Sequence, residues 1–174
     1  REALMQPLDA AARQRLNQRM EEVNGVTQSS TLTLIDRNGL GIAASNWRLP
    51  SSNVDHDYTF RPYFYQAARN GSASFYGVGV TTGVAGFFMS EAIRGPAGEL
   101  LGVVVIKLDL SELEASWQDS RDVILISDEH GVVILANRPD WMYRALRPIG
   151  AAERKYWSYC SMVGCVVVTS TNRN

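Results

Sequence analysis

The nine residues Gly102-Val-Val-Val-Ile-Lys-Leu-Asp-Leu110 constrain the fold of this chain more than any other stretch. Three valines and an isoleucine in succession read as a β-strand covered on both faces. Alternation puts Val103, Val105, Lys107 and Asp109 on one face, and Val104, Ile106, Leu108 and Leu110 on the other. Lys107 then sets a demand, because an ammonium on the inner face of a buried strand needs a counter-charge. Either a carboxylate of the protein supplies it, with Asp109 the nearest in sequence, or an anionic ligand does.

The rest of the composition narrows the setting. With 174 residues, 45% of them hydrophobic and 20% charged, the chain holds one ordinary domain, or a small domain with part of a second. Its 17 basic and 18 acidic residues leave a net charge of −1 and form no basic stripe, so no nucleic-acid partner is expected. No apolar run reaches the roughly 18 residues of a membrane span. The chain starts at Arg1 without a signal peptide, as a fragment would. Cys160 and Cys165 are the only cysteines, and their spacing decides nothing about pairing.

Taken in order, residues 1–24 carry Leu4, Leu8, Leu16, Met20 and Val23 at helical spacing. This predicts an amphipathic packing helix without a convincing cap, stopping at Gly25. Thr31–Asp36 and Leu40–Ala44 flank Asn38-Gly39, a β-hairpin signal. A polar loop leads to Phe60-Arg-Pro-Tyr-Phe64, where Pro62 opens a short helix that Asn70-Gly71 ends. Strands are expected over 74–80 and 86–93, then the lysine strand, then a helix opened by a capping box at Ser111-Glu-Leu-Glu114. Five antiparallel strands with flanking helices make an α+β, PAS-like domain. The pattern then restarts: Asp36, Gly39, Ile42 and Ala44 recur as Asp128, Gly131, Ile134 and Ala136, an offset of 92, which predicts a second module of the same plan.

Several polar groups stand out. Arg61 sits at a helix start, where a bound anion is favoured by the helix dipole and by the guanidinium together. Thr81 and Thr82 lie in a turn between strands, and Ser90 interrupts an apolar strand, where a buried hydroxyl needs a partner. Tyr58, Tyr63 and Tyr76 offer apolar walls with a polar end. One Arg, one Lys, hydroxyls and aromatic walls fit a small dianion, with one carboxylate at Arg61 and the other at Lys107. Catalytic readings are poorer. His56 and His130 both sit in loops, no S-x-x-K spacing supports a Ser90–Lys107 dyad, and Gly77-Val-Gly79 does not open a helix. Asp55-His56-Asp57 reads as a solvated loop, so neither a metal nor a cofactor is expected.

Asp36-Arg-Asn-Gly-Leu, Ala44-Ser-Asn-Trp47, Phe60-Arg-Pro-Tyr-Phe64, the Gly102–Leu110 strand with Leu113-Glu114 and Trp117, and Arg138-Pro-Asp-Trp141 together form a wider pattern. Over residues 30 to 147 it resembles the extracytoplasmic sensor region of C4-dicarboxylate sensor histidine kinases. The Arg-Pro-Tyr-Phe element alone is shared with other double-Cache sensors. The resemblance implies a long N-terminal helix (1–27), a membrane-distal PAS-like binding module (28–120) and part of a membrane-proximal module (121–174). It implies a periplasmic location, membrane spans outside this fragment, a homodimer, and no catalytic role for the fragment itself. It makes Arg61 and Lys107 the carboxylate-binding positions and Tyr58 a pocket tyrosine. Ser90 and Thr82 fall in its hydroxyl-bearing hairpin, and Tyr76 and Thr81 follow more weakly. The expected ligand is succinate, fumarate or malate. The alternatives are a chemoreceptor or cyclase sensor for another small acid or amino acid, and a small hydrolase using Ser90.

Overall fold

The computed structural model describes Leu4 and residues 8–27, 29–79, 81, 85–127, 131–142, 144–148 and 150. The chain divides into two compact units, Arg1–Phe75 with Gly86–Asp109, and Tyr76–Ala85 with Leu110–Asn174. The helix at residues 111–117, expected with the first module, thus groups with the second unit.

A five-stranded sheet is formed by β1 (Thr31–Asp36), β2 (Gly41–Ala44), β3 (Ser72–Val78), β4 (Ala85–Arg94) and β5 (Leu100–Leu108) in the order β2-β1-β5-β4-β3. The lysine strand β5 is therefore central, with antiparallel neighbours on both sides. Its burial alternates as the sequence predicts. Val103, Val105 and Lys107 are buried on one face, while Val104 and Ile106 are only partly covered on the other. Register extends the Lys107 face across the sheet: Thr31 and Phe88 lie opposite Lys107, and Thr33 and Ser90 lie opposite Val105.

Helix α1 (Ala10–Thr27) precedes the sheet. Leu4, Leu8, Leu16 and Met20 pack, as Ile93 and Val104 do, against the buried cluster of Leu34, Ile42 and Ala43 on the face opposite Lys107. Full burial of a large apolar side chain, as at Leu34 and Ile42, contributes about 1.5–3 kcal/mol, and the partly covered helix residues contribute less. Two details differ from the sequence reading. Asp9 caps the helix, its Oδ1 accepting the Ala12 N–H at 2.6 Å. The helix also runs through Gly25 to Thr27, because Asn24 and Ser29 hydrogen-bond to each other and close the end beyond the glycine. Nor is this face purely apolar. Asn17 is buried, and its Oδ1 accepts the Ala44 N–H at 2.9 Å, tying α1 to the end of β2.

Helix α2 (Pro62–Asn70) matches expectation, with Arg61 at its N-cap, Pro62 in its first turn and Gly71 (φ 96°) at its C-cap. Helix α3 (Ser111–Trp117) begins one residue earlier than a Ser111 cap requires. Leu110 occupies the N-cap and its carbonyl accepts the Glu114 N–H at 2.9 Å, so no side chain caps this end.

In the second unit, β6 (Leu125–Ser127) pairs with β7 (Val133–Ala136), followed by a 3-10 turn at Pro139–Trp141. The hairpin repeats the β1–β2 register residue for residue at the offset of 92. Thr33↔Ala44, Leu34↔Ala43 and Ile35↔Gly41 become Leu125↔Ala136, Ile126↔Leu135 and Ser127↔Val133, with the bulge in the same place. The bonds beyond the strands repeat too. Ser45 and Leu32 exchange bonds through the Ser45 hydroxyl and backbone, as Asn137 and Ile124 do through the Asn137 amide and backbone. Asp128 and His130, part of the sequence repeat, and Cys160 and Cys165 lie outside the described residues.

Candidate functional site

The first unit brings Arg61 and Lys107 to one ring. The Arg61 Cζ lies 5.5 Å from the Phe88 centroid, and the Lys107 Nζ lies 5.8 Å from the same centroid. Both side chains are buried, Arg61 at 0% exposure and Lys107 at 3%. Their backbones explain the meeting. Phe88 and Lys107 are cross-strand partners, so they project from the same face. Arg61 occupies the N-cap of α2, which packs against β5 on that face.

Aromatic rings wall the site. The Arg61 guanidinium lies 5.0 Å from the Tyr63 ring and 5.4 Å from Phe75, and Tyr63 stacks on Phe88 with centroids 5.0 Å apart. Cation–π attraction holds the guanidinium among these rings. The Arg61 charge acts directly on the Tyr63 phenol, while the Arg61 Nε and Nη1, both buried, donate to no acceptor among the described residues. Tyr58 is buried beside Tyr63, with centroids 6.4 Å apart, and donates its hydroxyl to the Asn53 carbonyl at 3.2 Å.

The electrostatics are those of positive charge gathered in an apolar setting. Burial lowers the pKa of Lys107, the nearby Asp109 carboxylate opposes that, and the Arg61 charge adds to the lowering. Burial raises the Tyr63 phenol, with Arg61 pulling the other way. Burial likewise raises Tyr58 far above the usual phenol range, so both hydroxyls stay protonated and remain donors. Asp109 itself is exposed. Its pull on Lys107 is the Lys107–Asp109 attraction expected from sequence, and it acts from the solvent side.

Ser90 is buried on the Lys107 face, but its hydroxyl has structural work. It donates to the Tyr63 carbonyl at 2.7 Å, with the Ala73 carbonyl at 3.2 Å. One hydroxyl carries one proton, so Ser90 joins β4 to the first turn of α2 and fixes where Arg61 and Tyr63 stand. Tyr76 and Thr81 belong to the second unit, each with interactions of its own, whereas Arg61, Lys107 and the rings around them all belong to the first. Thr82 lies outside the described residues. Phe75 and Phe88 were missed from sequence as ring partners of the cations. The signal for Phe88 was there, since it is two residues from Ser90 on the same strand face.

A stripe of α1 residues four apart is bonded to the end of β2 and to the polar loop before α2. Arg13 pairs with Asp55 at 2.7 Å, Asn17 accepts from Ala44, and Glu21 accepts from the Trp47 indole at 3.0 Å and from Arg48 at 3.4 Å. Asp55 takes a positive φ of 64°, which is uncommon outside glycine. The loop carrying Tyr58 and leading to Arg61 is thus fastened to the N-terminal helix.

The sheet order, the flanking helices and the buried cationic site define a PAS-like α+β sensor domain. No protein-family model matches the chain. It is 37% identical over 149 residues to the C4-dicarboxylate transport sensor protein DctB of Rhizobium meliloti, covering 86% of this chain and 24% of that protein. It is 35% identical over 154 residues to DctB of Pseudomonas aeruginosa, covering 88% and 25%. Among solved structures, the Vibrio cholerae DctB histidine kinase sensor domain superposes with a TM-score of 0.84 at 30% identity, covering 97% of this chain and 65% of that one. The ligand-binding domain of the P. aeruginosa amino acid chemoreceptor PctC, in complex with GABA, matches with a TM-score of 0.54 at 25% identity, covering 78% and 59%. The chain is homologous to the periplasmic sensor domain of the DctB C4-dicarboxylate sensor histidine kinases, and corresponds to a sensing rather than a catalytic part of such proteins. It spans about a quarter of the length of the curated relatives it matches. No helix among the described residues is long and apolar enough to cross a membrane.

Proposed function

We propose that this domain binds a C4-dicarboxylate (succinate, fumarate or malate) without converting it, and reports the binding to a kinase elsewhere in the full protein. The observation that carries this reading is the convergence of two buried cations, Arg61 and Lys107, on the Phe88 ring from different elements. A dianion with a carboxylate at each end meets the guanidinium with one end and the ammonium with the other. Tyr58 and Tyr63, both protonated, stand beside Arg61 as polar groups in the apolar wall.

Binding acts on signalling only through a difference in affinity between two conformations. Arg13 and Glu21 give the coupling a route, since they join the loop at 46–60 to α1. Homodimerisation, the kinase output and its downstream partner are part of the same proposal and rest on homology.

Thermal-shift measurements with small acids test it. A ligand at about 100 times its dissociation constant adds roughly 2.7 kcal/mol to stability. Succinate, fumarate or malate is expected to raise Tm, monocarboxylates to do little, and Arg61→Ala to abolish the shift. Equal shifts with propionate and succinate would defeat the two-cation reading.

A further inference from the structure

The path taken by the Lys107 side chain depends on one residue that carries no side chain. Gly86 lies on β4 two residues before Phe88, so it shares the Lys107 face. A methyl group at Gly86 would lie 2.5 Å from Lys107 Cε, 3.1 Å from Lys107 Cγ and 2.8 Å from the Leu108 carbonyl oxygen. The stem of Lys107 therefore lies over the bare backbone of Gly86, and its ammonium ends 5.8 Å from the Phe88 ring centroid. Conformation does not account for the glycine. Gly39, Gly71, Gly98 and Gly131 adopt positive φ, and Gly86 does not. Space is the remaining reason.

We propose that Gly86 is a positioning residue for ligand binding, its missing side chain forming the groove that aims the Lys107 ammonium at the Phe88 end of the site. The inference rests on the dicarboxylate reading above. In Gly86→Ala the lysine stem must lift off β4, because the Leu108 carbonyl is backbone and yields less readily than a side chain. The ammonium then leaves its place beside Phe88, and one carboxylate loses its partner.

Gly102 supplies the control. A methyl there would overlap the Ile35 carbonyl oxygen and lie 3.1 Å from Leu4 Cδ2, crowding the same strand. Gly102 is five residues from Lys107 and so faces the other side of the sheet. Calorimetric titration of the whole chain with succinate is expected to show Gly86→Ala binding at least about tenfold more weakly than the parent, and Gly102→Ala within about threefold of it, although both lose stability. Parent-like affinity in Gly86→Ala, or equal loss in both variants, would overturn the proposal. Failure of the parent itself to bind succinate would defeat the dicarboxylate reading instead. The groove is tested separately in the unsubstituted protein by NMR. Cross-peaks are expected between the Gly86 α-protons and the Lys107 γ- and ε-methylenes, and their absence would overturn it even if Gly86→Ala failed to fold.

Discussion

Replacing Lys107 by methionine should stabilise the ligand-free domain while removing its response to succinate. Lys107 is 3% exposed on the inner face of the central strand, among Phe88, Tyr63 and the second cation Arg61. Methionine keeps the length and much of the volume of the stem and removes the charge. Replacing whole buried ion pairs with apolar residues of similar volume is often neutral or stabilising by about 1–4 kcal/mol. A buried cation whose carboxylate neighbour is exposed leaves no buried counter-charge behind when it is removed. About 1–2 kcal/mol is expected here, at the low end of that range, because the exposed Asp109 already offsets part of the burial penalty. For a protein of this size each kcal/mol moves Tm by about 2–4 °C, so the ligand-free variant should melt some 2–8 °C higher. Thermal melts with and without saturating succinate read both effects from one sample. A variant less stable than its parent, or one that keeps the full succinate shift, would refute the reasoning. Lys107 would then belong to a structural pair with Asp109.

Other expectations follow from single contacts. Because a neutral amine cannot hold a carboxylate, succinate affinity should fall as pH rises through the lowered pKa of Lys107, earlier than for an exposed lysine. Ligand-free stability should rise across that same window, since the unfolded chain there binds the proton that the folded one has released; alkaline denaturation curves at fixed ionic strength check the sign. Ser90→Ala removes the bond that joins β4 to α2 and should destabilise by about 0.5–1.5 kcal/mol in urea melts, with weaker succinate binding through displaced Arg61. Steady ester hydrolysis that vanished in Ser90→Ala would favour an enzyme instead. Asn137→Ala removes the closure of the second hairpin, and hydrogen exchange should quicken at the Ile124 and Asn137 amides while β1 and β5 keep their protection.

Much of this fold is written locally. The β5 run announces a central strand because only a strand covered on both faces tolerates three valines and an isoleucine in succession. Asn38-Gly39, Pro62 and Gly71 mark their turn and helix ends because φ preferences are properties of single residues. The lysine in that strand was legible as a demand for negative charge, and the register sets it opposite Phe88, with the Asp109 carboxylate acting on it from the solvent side. What was not legible depends on contacts between distant segments. Asn17 gives no signal in a helix read from its apolar positions, yet it reaches the end of β2. Ser90 looked like a ligand hydroxyl, and its proton goes to a backbone carbonyl 27 residues away. Gly86 gave no signal of its own, because its meaning lies in the side chain that lies over it.

The claim that one carboxylate meets Arg61 and the other Lys107 is tested most directly by NMR of succinate labelled with carbon-13 at both carboxyl groups. Free succinate is symmetric and gives one carboxylate resonance. At saturation the bound ligand should give two, of which Arg61→Lys shifts chiefly one and Lys107→Arg chiefly the other. A single bound resonance, or two that both follow Arg61 and ignore Lys107, would contradict the account.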